Sequence, residues 1–129
     1  MNKNKKIFII DDDSFLLNMY SMKFEKKGFE TKISTSGSDA LEMLRGGYKP
    51  DVLIMDLIMP IMDGFSIYES IKKEKLAPNS LSVMLTNQST ASDIDRAKEL
   101  GIHGFIVKAT TIPSEVVEEV EKLLVKYSK

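Results

Sequence analysis

Short apolar runs and amphipathic stretches take turns from one end of the chain to the other. Ile7-Phe8-Ile9-Ile10, Val52-Leu53-Ile54-Met55 and Leu81 to Leu85 are too short and too uniformly apolar for helices, and they predict strands buried on both faces. Lys6 extends the first of them. Phe29 to Ser34 and Phe105 to Val107 predict two weaker strands. Between them the period changes to that of a helix. Ser14 is placed as the cap of a helix with Leu16, Met19, Tyr20 and Phe24 on one face, ending at Gly28. A second helix over Ser36 to Arg45 turns Ala40, Leu41 and Leu44 inward and stops at Gly46-Gly47. Gly64 opens a third that presents Phe65, Tyr68 and Ile71. Thr90-Ala91-Ser92-Asp93 has the form of a capping box, and Gly101 ends the helix it starts. Pro113 opens a last helix with Val116, Val120, Leu123, Leu124 and Tyr127 on a shared face. Five βα units predict an α/β fold with a parallel sheet, in one domain spanning residues 1–129.

A hydrophobic content of 43% and a charged content of 29% over 129 residues are those of an ordinary globular domain. The formal net charge of −1 gives no general attraction to nucleic acid or to an anionic membrane. Without cysteine there is no disulfide, thiolate chemistry or Cys-based zinc site. The basic start Asn2 to Lys6 meets only four apolar residues before three acids, so it does not form a signal peptide, and no stretch reaches the length of a membrane span. A cytoplasmic protein with no direct nucleic-acid or membrane contact is expected.

The chemistry lies where the strands end. The first polar residue after a strand buried on both faces sits at the carboxyl edge of the sheet, where open α/β sheets bind ligands. The first strand delivers Asp11-Asp12-Asp13 there, the third Asp56, the fourth Thr86 and the fifth Lys108. Crowded carboxylates repel one another unless a cation neutralises them, and hard oxygen ligands suit Mg²⁺. Acids for a divalent cation, a hydroxyl and an ammonium are the parts of a phosphoryl-transfer site, and a carboxylate can itself be the nucleophile. Asp13 is read as a helix cap or a solvated charge. His103 lies between glycines without a second zinc ligand and is read as a surface residue. The eight methionines are read as core filling.

Four motifs in order, Ile9-Ile10-Asp11-Asp12-Asp13-Ser14, Ile54 to Gly64, Met84-Leu85-Thr86 and Gly104-Phe105-Ile106-Val107-Lys108, resemble those of the receiver domains of two-component response regulators over nearly the whole chain. The resemblance implies a doubly wound, flavodoxin-like sheet of strand order 2-1-3-4-5 with five helices. It implies Asp56 as phosphoacceptor, and Asp11, Asp12, Asp56 and the backbone carbonyl of Ile58 as the protein's ligands to Mg²⁺. Lys108 would pair with the acid and then with the phosphoryl oxygens. Thr86 would bond the phosphoryl group, with Phe105 reorienting behind it, so that the face made by the fourth helix, fifth strand and fifth helix switches. The implied partners are a histidine kinase or histidine phosphotransfer protein and an unknown downstream effector, with the chain a monomer or a phosphorylation-dependent dimer. Such a module is not an enzyme beyond catalysing its own phosphorylation and dephosphorylation. No output domain follows Lys129, so the chain is expected to be a complete single-domain regulator or a receiver cut from a longer one.

Three positions depart from the family pattern. Ala109 replaces the usual proline after the strand-five lysine, Asn87 is larger than the usual residue after the switch threonine, and Ile58 is apolar where some relatives are polar. Ile58 cannot hold a water in line with the phosphorus, which predicts slow self-dephosphorylation, eased in part by the polar Gln88. Two other functions compete. Asp11-Asp12-Asp13 satisfies the Asp-x-Asp of haloacid-dehalogenase phosphatases, but the chain is short and has no later acidic pair after the fourth strand. A pseudo-receiver that is never phosphorylated would not need Asp11, Asp12, Asp56, Thr86 and Lys108 together. A flavodoxin-type flavin carrier is discarded, because three aspartates would repel the flavin phosphate.

Overall fold

The computed structural model describes residues 5–87 and 90–127. The elements follow one another as β1 (Lys6–Ile10), α1 (Ser14–Lys26), β2 (Glu30–Ser34), α2 (Gly37–Arg45), β3 (Val52–Asp56), α3 (Gly64–Lys73), β4 (Leu81–Thr86), α4 (Ala91–Leu100), β5 (Gly104–Val107) and α5 (Pro113–Tyr127). A single 3-10 turn over Lys108–Thr110 joins β5 to α5. All strand pairings are parallel, and the order is β2-β1-β3-β4-β5. This is the doubly wound order that the resemblance to receiver domains implies.

Alternation along the strands divides the core in two. Phe8, Ile10, Leu53, Met55 and Met84 face α2, α3 and α4, where they meet Leu41, Phe65, Ile67 and Ile71. Ile7, Ile9, Val52, Ile54, Val83 and Leu85 face α1 and α5, where they meet Leu17, Phe24, Val116 and Val120. Strands β1, β3 and β4 are thus covered on both sides, which is why they read as unbroken apolar runs. The edge strand β2 exposes Glu30, Lys32 and Ile33, half-buries Thr31 and buries only Ser34, and reads weakly for that reason.

Several local expectations are corrected. Asp13, not Ser14, caps α1: its extended backbone lets the side chain accept from the Leu16 amide at 3.1 Å, while Ser14 is already helical. The buried stripe of α1 is Leu17, Tyr20 and Phe24, with Leu16 and Met19 only half covered. Val117 joins Val116 and Val120 under α5, and Tyr127 stays largely exposed. Met55, Met59 and Met84 fill the core as expected, but Met22 is exposed. His103, expected at the surface, is half-buried, and its Nδ1 accepts from the Ser82 amide. The caps at Ser36, Asp63 and Thr90 each accept from the amide three residues on.

Candidate functional site at the carboxyl edge

The chain reverses its winding direction between β1 and β3, and such a switch point opens a crevice at the carboxyl ends of the strands. Here that crevice is a cleft of about 390 Å³ lined by Asp11, Asp12, Asp13, Leu16, Asp56, Ile58, Thr86, Asn87 and Lys108. Asp11, Asp12, Asp56, Ile58, Thr86 and Lys108, the metal, phosphoacceptor and phosphoryl-contact residues expected from sequence, all line it. The register accounts for it: Ile10 lies beside Met55, Asp56 beside Leu85, and Thr86 beside Val107, so the polar residues emerge side by side.

One oxygen from each of Asp11, Asp12 and Asp56 lies within 4.8 Å of the others. Asp11 is 1% exposed and Asp56 7%, whereas Asp12 faces solvent. The Lys108 ammonium donates to Asp11 and stands 3.6 Å from Asp56. The Asp13 amide donates to the other Asp11 oxygen at 3.0 Å, and the Ile58 amide reaches Asp56 at 3.4 Å. Three carboxylates against one ammonium leave an excess of negative charge that a divalent cation matches. The donor set fits Mg²⁺: hard oxygens from Asp11, Asp12 and Asp56, with Ile58 lining the same cleft and an open side for water.

The electrostatics express the same crowding. Burial first, then the charge of Asp11, push the Asp56 carboxyl up to about 7, against the lowering effects of Lys108 and the Ile58 amide. Burial works against the charged Lys108, but the hydrogen bond and charge of Asp11, with the charge of Asp56, outweigh it and raise its pKa. Burial also raises the Tyr20 hydroxyl, which lies within electrostatic reach of Lys108, Asp11 and Asp56. Sequence reasoning placed Tyr20 in the core only. Its neighbourhood to the acids depends on how α1 packs, which no local pattern encodes.

Thr86 is the clearest pointer to a ligand. Its side chain is fully buried and its Oγ1 is, among the described residues, the one buried side-chain oxygen or nitrogen with no hydrogen-bond partner. A buried hydroxyl without a partner is destabilising and marks a place where a partner arrives. Gly64 lets the start of α3 approach the end of β3 closely. A Cβ there would come within 2.7 Å of the Asp56 carbonyl oxygen and 2.8 Å of Met84 Sδ. Of the departures noted in the sequence, Asn87 does line the cleft. The Lys108–Ala109 peptide is trans, since the described residues contain no cis bond. Gln88 lies outside the described residues. Phe105 is partly buried against the core on the α3 and α4 side.

A family model of the response regulator receiver domain matches residues 7–121, so the chain belongs to that family. The alkaline phosphatase synthesis transcriptional regulatory protein PhoP of Bacillus subtilis is 28% identical over 121 residues, covering 94% of this chain and 49% of PhoP. The chain spans about half the length of the curated relatives it matches. Among solved structures, a CheY-like receiver domain protein from Methanospirillum hungatei superposes with a TM-score of 0.85 at 22% identity, covering 96% of both chains. The BeF3-activated receiver domain of DrrB from Thermotoga maritima gives 0.80 at 24% identity, covering 95% of this chain and 98% of that one. At these identities the two structures speak for the fold alone. No helix among the described residues is long and apolar enough to cross a membrane.

Proposed function

We propose that the chain is a phosphorylation-driven switch in which Asp56 takes a phosphoryl group from a phosphohistidine of a histidine kinase or phosphotransfer protein. A carboxylate oxygen of Asp56 forms the new P–O bond as the P–N bond breaks, and the electron pair returns to the donor imidazole. The observation that carries the reading is the buried, unpartnered Thr86 hydroxyl in the same cleft as three clustered carboxylates and a lysine. Asp11, Asp12, Asp56 and the Ile58 carbonyl would hold Mg²⁺, which when bound neutralises charge on the acids and the phosphoryl oxygens. Lys108, now on Asp11, is within reach of Asp56 and of oxygens bonded to it. Thr86 gains a hydrogen bond only when the phosphoryl group is present. That difference is what shifts a population between two states of the α4, β5 and α5 face, with Phe105 following. The expected setting is cytoplasmic, with an effector protein reading that face. The module turns over no other substrate.

The test is incubation with acetyl phosphate, with and without Mg²⁺, followed by intact-mass measurement. One phosphoryl group should add to the parent chain with Mg²⁺ and none to Asp56→Asn. Addition to the variant, or addition without the metal, contradicts the assignment. Ile58, 60% exposed beside the cleft, offers no hydrogen bond from its side chain to orient an attacking water. The phosphorylated form should therefore be long-lived, and Ile58→Asn should shorten its half-life several-fold. An unchanged half-life removes the orientation argument.

A further inference from the structure

The amino edge of the sheet, opposite the acids, holds a second cavity of about 390 Å³ beneath the ends of α3 and α4. Its volume falls within the range of small-molecule sites. Leu53, Ile71 and Leu76 form apolar walls, and Lys72, Lys75, Ser82 and His103 supply polar groups. No carboxylate among the described residues lines it. The His103 ring accepts the Ser82 amide at Nδ1, 3.0 Å away, which leaves its proton on Nε2 and makes that atom a donor. The Tyr68 hydroxyl reaches the Gly101 carbonyl at 3.5 Å, and the Lys72 ammonium stands 5.7 Å from the Tyr68 ring.

Lys75 adds an independent observation. Helix α3 ends in a Schellman turn, with the Leu76 amide on the Ile71 carbonyl and the Lys75 amide on the Lys72 carbonyl. The residue at the turn must be left-handed, and glycine takes that place most easily. Here it is Lys75, at φ +57°, with Ala77 also left-handed at φ +42° two residues on. A strained side chain is thus kept where glycine would serve the fold better, and that side chain is one of the cavity's two cations. Helix carboxyl ends carry about half a negative charge, which two lysines more than offset.

We infer that this cavity is a binding site for a small amphipathic carboxylate, its apolar body against Leu53, Ile71 and Leu76 and its charge between Lys72 and Lys75. The site is separate from the acid cleft and does not depend on phosphorylation. An isotope-labelled sample of the full chain is titrated with naphthoate, with naphthamide as the neutral counterpart and inorganic phosphate as the anion without an apolar body. Naphthoate should shift the amides of Lys72, Lys75, Ser82, Gly101 and His103 with a Kd of about 1 mM or below, and the two controls should bind at least about tenfold more weakly. Lys72→Gln should weaken naphthoate binding. Lys75→Gly should weaken it also while raising the unfolding midpoint, a combination that a purely structural lysine does not produce. Unsaturated or absent shifts at these residues overturn the inference. Equal binding of either control, or unchanged naphthoate affinity in Lys75→Gly, does so too.

Discussion

At the amino end of the sheet the Ser82 amide donates to His103, the Lys6 amide to Asp51 at 2.8 Å, and the Ser80 hydroxyl to the Pro50 carbonyl. At the carboxyl end of the same strands, Asp11 and Asp56 are buried side by side and the Thr86 hydroxyl has no partner. One edge closes its hydrogen bonds internally, while the other leaves like charges and an empty donor-acceptor facing a cleft. Both edges belong to the same strands, so the sheet topology does not explain the difference. The proposed function accounts for it: a cation and a phosphoryl group would complete the carboxyl edge, whereas the Ser82 and Lys6 amides at the amino edge already have partners within the chain.

The comparison extends to pH, where the two edges have opposite slopes. Asp56 has its folded pKa raised from an ordinary carboxylate value to about 7. Its favourable contribution is therefore complete below the unfolded value near 4 and is lost as pH rises through about 7. His103, the chain's single histidine, has its folded pKa lowered, first by burial and then by Lys72. Its contribution is complete above the unfolded value near 6.5 and is lost as pH falls from there through the folded value.

The largest expected effect removes the cation that, among the described residues, stands between the acids. Lys108→Met, without metal at pH 8, should lose about 3–5 kcal/mol of unfolding free energy in urea, because Asp11 and Asp56 remain buried without it. A loss under about 1 kcal/mol would mean that the ammonium does not offset their repulsion. The amino edge responds through its acceptor instead. His103→Leu leaves the buried Ser82 amide unpaired and should cost about 1–3 kcal/mol at pH 7.5. The gap to the parent should narrow between pH 6.5 and 5, because only the parent has a histidine to protonate. A gap constant across that range would show that the imidazole is not held neutral. The smallest effect has the opposite sign. Thr86→Val keeps the shape and removes the orphan hydroxyl, so the metal-free chain should gain about 1 kcal/mol. A net loss would mean that Thr86 already has a partner in solution.

How much of this was legible in the sequence follows the same division. Asp11, Asp12, Asp56, Thr86 and Lys108 stand out because each follows an apolar strand, and a parallel sheet brings such positions to one edge whatever the details of packing. His103 did not stand out. Its partner Ser82 is twenty-one residues away in sequence, and only the register that pairs Val83 with Gly104 brings the two together. The same holds for Lys75, whose φ of +57° follows from where α3 stops rather than from any local signal. At the start of α1, Asp13 and Ser14 are both good caps, and the choice of Asp13 follows from backbone geometry that composition does not carry. The buried stripe there centres on Leu17, while Leu16, half-buried against the core, also lines the cleft.

On the proposed reading, burial and the charge of Asp11 oppose the charged form of Asp56 until a cation neutralises the cluster. Unfolding free energies of the parent and Asp56→Asn, measured at pH 8 with chelator and then with saturating Mg²⁺, test this directly. Without metal the variant should be more stable than the parent by about 2–4 kcal/mol, and Mg²⁺ should stabilise the parent more than the variant and narrow or reverse that gap. A variant less stable than the parent in chelator, or a parent indifferent to Mg²⁺, would contradict it.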